Sequence, residues 1–99
     1  MPMILIGRTD PHRNIRAGID LTILDPHNSI SREHASIHNM EVGVYLIVDH
    51  GSMNGTFVNG SRLKKGEKRS LNEGDLVMFG DIRFEFKNGK LSYMGRKYY

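Results

Sequence analysis

The sequence of 99 residues lacks cysteine and tryptophan, and it contains only three prolines. The absence of cysteine excludes a disulfide-stabilised scaffold and any zinc site that is built on thiolates. Long hydrophobic runs are also missing near the N-terminus, where the longest apolar stretch covers only residues 3–6. A signal peptide or a membrane span needs a much longer run. We therefore expect an intracellular, soluble, cytoplasmic protein without a membrane partner.

Charge is only mildly unbalanced. The chain has 14 Lys and Arg residues against 11 Asp and Glu residues, which gives a formal net charge of +3. This excess suits an acidic partner, and it is equally typical of a small domain that is kept in solution. A nucleic-acid-binding protein would need a contiguous basic face, whereas the basic residues here are scattered along the chain. We therefore expect no nucleic-acid partner.

No stretch of the sequence has the apolar periodicity of a helix longer than one turn. Short β-type runs recur instead, separated by turn signals such as Asn59-Gly60, which favours a tight hairpin. We predict strands at residues 3–6, 19–23, 34–38, 44–48, 56–58, 62–63, 76–79, 82–86 and 91–94. Residues 70–75 have the composition of a turn. About nine or ten short strands in a single domain, covering residues 1–99, indicate an all-β fold, an antiparallel β-sandwich or barrel.

Two loop segments carry most of the polar chemistry. One is Ser-Arg-Glu-His at residues 31–34, and the other is the glycine-rich run at residues 51–60. Each segment offers hydroxyl or amide side chains and backbone N–H groups beside a strand. Arg8, which follows Gly7 at the end of the first apolar run, adds a fork of donors that suits phosphate oxygens. This set predicts an anion pocket, and our hypothesis is that the protein binds a phosphorylated peptide.

The same residues, taken in chain order, resemble the motifs of the forkhead-associated (FHA) domain family. The matching positions are Gly7-Arg8, Ser31-Arg32-x-His34-Ala35, Tyr45 with Asp49, Ser52-x-Asn54-Gly55-Thr56-Phe57-Val58-Asn59-Gly60, Leu71 with Gly74-Asp75, and Phe79-Gly80. Each motif alone is weak, but all of them in this order and spacing form a specific signal. The resemblance covers residues 3–86 and leaves residues 87–99 as a C-terminal strand and tail.

The family resemblance implies a twisted β-sandwich whose loops at one end bind phosphothreonine in an extended peptide. It implies that Arg8 pairs with the phosphate and that Ser31 donates its hydroxyl to a phosphate oxygen. Arg32 would offer its backbone N–H and its side chain, and Asn54 would hydrogen-bond the peptide main chain. A phosphate near pH 7 carries almost two charges and strong acceptor oxygens, which fits such a set of donors.

The other motif residues have structural roles in the resemblance. Gly7 and Gly55 would allow backbone conformations or close approaches that a side chain would block. His34 would brace the loop that carries Ser31, and Thr56 would hydrogen-bond within the loop region. The expected partner is a threonine-phosphorylated protein or peptide, and no cofactor is expected.

Two features depart from the family pattern. Met53 stands where many members have a Thr or Ser whose hydroxyl helps to bind phosphate, so we expect Met53 to line the pocket without donating a hydrogen bond. Family members also have two further strands before the one that ends in Gly-Arg, so we expect one sheet to lack two strands and to have an exposed edge. That edge would be covered by residues 91–99, by a second copy of the chain, or by residues beyond a truncated sequence. We favour a homodimer or a strand-exchanged arrangement.

Other function classes fit the sequence less well. The five histidines lack the spacing of metal ligands, so no metal site is expected; they are His12, His27, His34, His38 and His50. Ser31 and His34 do not form a nucleophile elbow, so we expect a binding protein and not an enzyme. The main alternative is a phosphate-independent scaffold domain on the same fold, which Met53 and the missing strands favour.

Overall fold

A computed structural model, which describes residues 3–13 and 17–97, confirms an all-β fold of two sheets. The strands within the described residues are β1 (Met3–Gly7), β2 (Ile19–Asp20), β3 (Ala35–Glu41), β4 (Val44–Asp49), β5 (Thr56–Val58), β6 (Ser61–Arg62), β7 (Lys68–Leu71), β8 (Leu76–Phe79), β9 (Ile82–Lys87) and β10 (Lys90–Arg96). Two single-turn 3₁₀ helices, Pro11–Arg13 and Thr22–Leu24, are also present. No helix in this part of the chain is long or apolar enough to cross a bilayer.

The two sheets pack face to face with the apolar core between them. The first sheet has the order β2-β1-β3-β4-β7 and the second has the order β10-β9-β8-β5-β6. β1 and β2 are parallel, and the other strand pairs are antiparallel. The largest fully buried apolar side chains are Phe79, Ile6, Leu21, Ile30, Ile47 and Ile82. Alternating side chains of both sheets therefore form the core, as expected of a β-sandwich, together with Leu21 and Ile30 from the segments between strands.

Strand pairing brings the polar loops to one end of the sandwich. Ile6 pairs with Ala35, which in turn pairs with Asp49, so the end of β1, the start of β3 and the end of β4 lie side by side. Residues 50–55 then cross to the second sheet, where Thr56 pairs with Phe79. The loops that follow Gly7, precede Ala35, precede Thr56 and follow Phe79 consequently share this end.

Two of the predicted elements were wrong. The predicted strand at residues 19–23 stops at Asp20, because the carboxylate of Asp20 accepts hydrogen bonds from the backbone N–H and the hydroxyl of Thr22 at 3.0 and 2.5 Å and turns the chain. The predicted turn at residues 70–75 begins later, because Lys68–Leu71 pairs with β4 as an edge strand. Leu71, buried opposite Tyr45, anchors that strand.

The edge beside β9 is covered by the C-terminal segment. β10 pairs with β9 from Lys90 to Arg96 and has a bulge between Tyr93 and Gly95. This is one of the three arrangements expected for the edge, and it gives both sheets five strands. Residues 98 and 99 of the expected segment lie outside the described residues. The homodimer stays a prediction.

Candidate functional site

The five residues predicted to bind phosphopeptide all line one cavity of about 190 Å³ at this end of the sandwich. The lining residues are Arg8, Asn28, Ser29, Ile30, Ser31, Arg32, Met53 and Asn54. They come from three loops that are distant in sequence. The cavity is therefore a product of the strand pairing described above, and its lining contains no carboxylate.

The hydroxyl of Ser31 is oriented so that it can donate a hydrogen bond to a ligand. The backbone N–H of Met53 donates to Oγ of Ser31 at 3.1 Å, which occupies an acceptor position of that oxygen. Among the described residues, no acceptor binds the hydroxyl proton, which can point into the cavity. A phosphate oxygen is a suitable acceptor for it.

Both the backbone and the side chain of Arg8 form hydrogen bonds with the loop that carries Ser31. Its backbone N–H donates to the carbonyl of Arg32 at 3.2 Å, and its Nε donates to the carbonyl of Ile30 at 3.4 Å. No carboxylate forms an ion pair with Arg8 within residues 3–13 and 17–97. Its terminal guanidinium nitrogens therefore bring an unneutralised charge and free donors to the cavity.

Arg32 differs from Arg8 because it has an acidic partner. Its Nε donates to Oδ2 of Asp10 at 2.5 Å, and the side chains of Arg32 and Asp10 are 38% and 13% exposed. One edge of the guanidinium is thus engaged, while its terminal nitrogens remain for a ligand. Asp10 was not predicted from the sequence, because nothing in the local pattern pairs it with a residue 22 positions away.

Asn54 joins two of the loops and keeps an acceptor for a ligand. Its Nδ2 donates to the carbonyl of Ser29 at 2.8 Å, and its side chain is exposed. The amide oxygen is left to accept a hydrogen bond, which suits the N–H of an extended peptide. Met53 beside it is 82% exposed and offers only an apolar thioether to the cavity.

His34 lies behind the cavity and connects its loops. The ring is fully buried; Nδ1 accepts the N–H of Ser31 at 3.1 Å, and Nε2 donates to the carbonyl of Gly55 at 2.8 Å. These two bonds require the neutral ring with its proton on Nε2. Burial lowers the pKa of His34, against the opposing effects of the Gly55 carbonyl and of the Asp49 and Asp25 charges.

Asp49 organises the loop of residues 50–55. It is buried, and its carboxylate accepts four hydrogen bonds: from the hydroxyls of Ser52 and Thr56 at 2.5 and 2.8 Å, and from the backbone of Gly51 and Ser52 at 2.9 and 3.2 Å. Burial opposes ionisation, but these bonds hold the pKa of Asp49 below its ordinary value. The expected hydrogen bond of Thr56 within the loop region is the one to Asp49.

Asp25 has the corresponding role in the neighbouring loop, and this role was not predicted from the sequence. Its carboxylate accepts from the backbone and hydroxyl of Ser29 at 2.8 and 2.9 Å and from the backbone of Ile30 at 2.8 Å. The Asp-Pro pair at positions 25 and 26, followed by polar residues, was the available signal, since Asp side chains commonly cap such turns.

The two motif glycines permit close contacts. A Cβ on Gly7 would overlap the carbonyl oxygen of Arg32, so any larger residue would displace the loop that carries Ser31. Gly55 has a φ of +93°, and a Cβ there would come within 2.9 Å of Nε of Arg62. Both positions therefore need glycine, Gly7 because of a close approach and Gly55 because of its backbone conformation as well.

A larger groove continues from the cavity. It has a volume of about 450 Å³ and shares Ser29 and Asn54 with the smaller cavity; its other lining residues are His27, Phe57, Met78, Gly80, Asp81 and Lys97. An extended peptide that occupied the first cavity could run on into this groove. Two loops at this end of the sandwich reach the groove, one through Ser29 and the other through Gly80 and Asp81.

Sequence comparison matches the FHA domain profile to residues 4–80. The chain is 33% identical over 87 residues to the protein FraH of Nostoc sp., with 80% of this chain and 29% of FraH covered. It is 38% identical over 73 residues to the ABC transporter ATP-binding/permease protein Rv1747 of Mycobacterium tuberculosis, with 74% and 8% covered. The chain thus spans less than a third of either relative.

Solved structures show the same fold. The FHA-2 domain of Mycobacterium tuberculosis Rv1747 has a TM-score of 0.65 and 30% identity, with 98% of this chain and 80% of that chain covered. An FHA domain solved in a study of phosphothreonine-dependent FHA domain interactions has a TM-score of 0.59 and 29% identity, with 79% and 68% covered. EmbR of Mycobacterium tuberculosis, in complex with a low affinity phosphopeptide, has a TM-score of 0.66 and 25% identity, with 98% and 21% covered. Because the FHA profile matches most of the chain and the fold agrees, this protein belongs to the FHA domain family.

Proposed function

We propose that this domain binds a partner protein through a phosphorylated threonine in an extended segment. The observation that carries the proposal is the cavity that brings together Arg8, Ser31, Arg32 and Asn54 with no carboxylate in its lining. Similar FHA domains take part in phosphothreonine-dependent interactions, which supports the same ligand class here.

The proposed mechanism is capture of the phosphate by charge and by directed donors. Arg8 supplies the charge that no described carboxylate neutralises, and the terminal nitrogens of Arg32 add a second cation. The hydroxyl of Ser31 donates to a phosphate oxygen, while the amide oxygen of Asn54 accepts a peptide N–H. Hydrogen bonds to a charged group contribute about 1.5–3 kcal/mol each, so a few such contacts explain binding that depends on the phosphate.

Binding, and not catalysis, is the chemistry that this geometry favours. The hydroxyl of Ser31 accepts from the backbone of Met53, and both ring nitrogens of His34 bond to backbone groups. The imidazole therefore does not contact the hydroxyl as a general base would. Within the described residues, no three His, Asp or Glu side chains form a cluster that could hold a metal ion.

A phosphate-independent scaffold domain is the second candidate. The outer face of the second sheet favours it, since exposed Leu76 and Met94 line a cavity of about 250 Å³ there. An apolar surface of this kind is compatible with a protein contact that involves no phosphate. Such binding would survive the loss of Arg8.

The test is binding of a degenerate phosphothreonine peptide library, with unphosphorylated and phosphoserine libraries as controls. We expect the wild type to need the phosphate and to prefer phosphothreonine. Arg8→Ala should abolish this binding, whereas Lys90→Ala, which removes one exposed charge at the opposite end of the sandwich, should not. Binding by a folded protein that ignores the phosphate, or that persists in Arg8→Ala, would favour the scaffold.

A further inference from the structure

A further cavity adjoins the loop that carries Met53 and Asn54. It has a volume of about 380 Å³ and is lined by Asp49, Gly51, Ser52, Arg62, Leu63, Lys64 and Lys65. Its residues lie at the same end of the sandwich as the proposed phosphate site. The backbone N–H of Leu63 donates to the carbonyl of Thr56 at 2.9 Å, and the backbone of Lys65 forms an isolated β-bridge with that of Asp49. The cavity is therefore next to the proposed phosphate site and separate from the groove that contains Asp81.

The charged side chains that are exposed in the lining of this cavity are all cationic. Arg62, Lys64 and Lys65 are exposed, and none of them forms an ion pair with a carboxylate of residues 3–13 or 17–97. Asp49 is the acidic residue in the lining, but it is buried and its carboxylate already accepts four hydrogen bonds. Glu67 lies nearby, where its carboxylate accepts the backbone N–H of Lys64 and pairs with Arg69.

Arg62 connects this cavity to the loop of the phosphate site. Its Nη2 donates to the carbonyl of Met53 at 3.4 Å, and its guanidinium lies 5.9 Å from the centre of the Phe57 ring. Gly55 leaves room for the side chain, since a Cβ there would approach Nε of Arg62 to 2.9 Å. The guanidinium is thus held in place with several donors free, which lowers the entropy lost when it binds an anion.

We propose that Arg62, Lys64 and Lys65 form a second anion subsite. This subsite binds a negatively charged side chain close to the phosphothreonine of the same partner. This inference rests on the proposed function. The side chain is either a carboxylate, from Asp or Glu, or a second phosphate, since both present oxygens to Arg and Lys. The preferred ligand class is therefore an acidic or doubly phosphorylated phosphothreonine segment.

The test is a position scan of one phosphothreonine peptide that the wild type binds. Each flanking position is replaced in turn by Gln, Glu or phosphoserine, and dissociation constants are measured by fluorescence anisotropy. We expect at least one position where Glu or phosphoserine tightens binding about two- to fivefold over Gln, with less gain at high salt. The larger gain identifies the carboxylate or the phosphate as the preferred anion.

Variants that remove charges from the subsite complete the test, and a double variant at the opposite end of the sandwich is the control. In Lys64→Gln/Lys65→Gln the gain should disappear while the Gln peptide still binds in a phosphate-dependent way, and Arg62→Gln should act in the same direction. Lys87→Gln/Lys90→Gln, in the hairpin at the opposite end, should keep the gain. Phosphate-dependent binding without any anion preference, or with a preference that survives Lys64→Gln/Lys65→Gln, overturns the subsite alone. Absence of phosphate-dependent binding overturns the proposed function and the subsite together.

Discussion

The backbone N–H of Ser31 donates a hydrogen bond to Nδ1 of His34 at 3.1 Å, so a ring outside the cavity holds the serine that lines it. The other ring nitrogen donates to Gly55 in the loop that carries Met53 and Asn54. One buried imidazole thus sets the spacing between two of the three loops of the site.

Replacement of His34 by Ala should weaken both the fold and the binding of phosphopeptide. The change removes a buried ring and leaves the N–H of Ser31 without its acceptor, so we expect about 2–4 kcal/mol loss of unfolding free energy. Urea unfolding and peptide titration measure the two effects. His12→Ala, at an exposed position, should change neither, and unaltered binding in His34→Ala would contradict the connecting role.

Stability should fall as the pH drops below the pKa of an unfolded histidine, which is about 6.5. Burial lowers the pKa of His34 in the folded state, so the unfolded chain binds the proton more readily. The contribution of His34 is therefore complete above pH 6.5 and is lost as the pH falls towards the folded-state pKa. Urea unfolding at several pH values between 7.5 and 5 should show this loss in the wild type.

The matched variant for the pH experiment is His34→Gln, which has no titrating ring at this position. Its unfolding free energy should depend less on pH over the same range. Carboxylates change the stability in a more acidic pH range. The hydrogen bonds from Thr22, for example, lower the pKa of Asp20 to about 2, so the stability that Asp20 contributes is lost only in stronger acid. An equal pH dependence in His34→Gln and wild type would assign the effect to other groups.

Replacement of Met53 by Thr should tighten the binding of phosphothreonine peptide. The backbone N–H of Met53 already contacts Ser31, so a hydroxyl at this position would stand beside the phosphate and add one hydrogen bond to a charged group. We expect a gain of about tenfold in affinity, measured by calorimetry. Met53→Ala, which adds no hydroxyl, is the control, and an equal gain in both variants would exclude the hydrogen bond as the cause.

Replacement of Asp10 by Asn should also tighten binding, by about two- to fivefold. The carboxylate of Asp10 occupies Nε of Arg32 and places a negative charge near the phosphate, and Asn keeps its size without the charge. The gain should shrink at high salt, since it is electrostatic. Weaker binding by Asp10→Asn would mean instead that Asp10 orients Arg32 for the ligand.

The site residues were recognisable in the sequence because they occupy motifs whose order and spacing are specific. Their surroundings were not recognisable. Asp10 lies 22 positions from Arg32, and Asp25 acts on Ser29 and Ile30 through side-chain hydrogen bonds that many loops of similar composition lack. Strand β7 was missed for a related reason, since its polar residues form a strand only because β4 supplies the backbone partners.

The sequence by itself determined the local features of this protein. Alternating and apolar runs specify most strands, and pairs such as Asn59-Gly60, with φ values of +50° and +84°, specify tight turns because these residues tolerate that backbone. Only the tertiary structure decided that the C-terminal segment covers β9, that three loops enclose one cavity, and that Arg62 lies beside Met53. These contacts join residues far apart in the chain, and they depend on strand order and register, which are settled by burying one shared core.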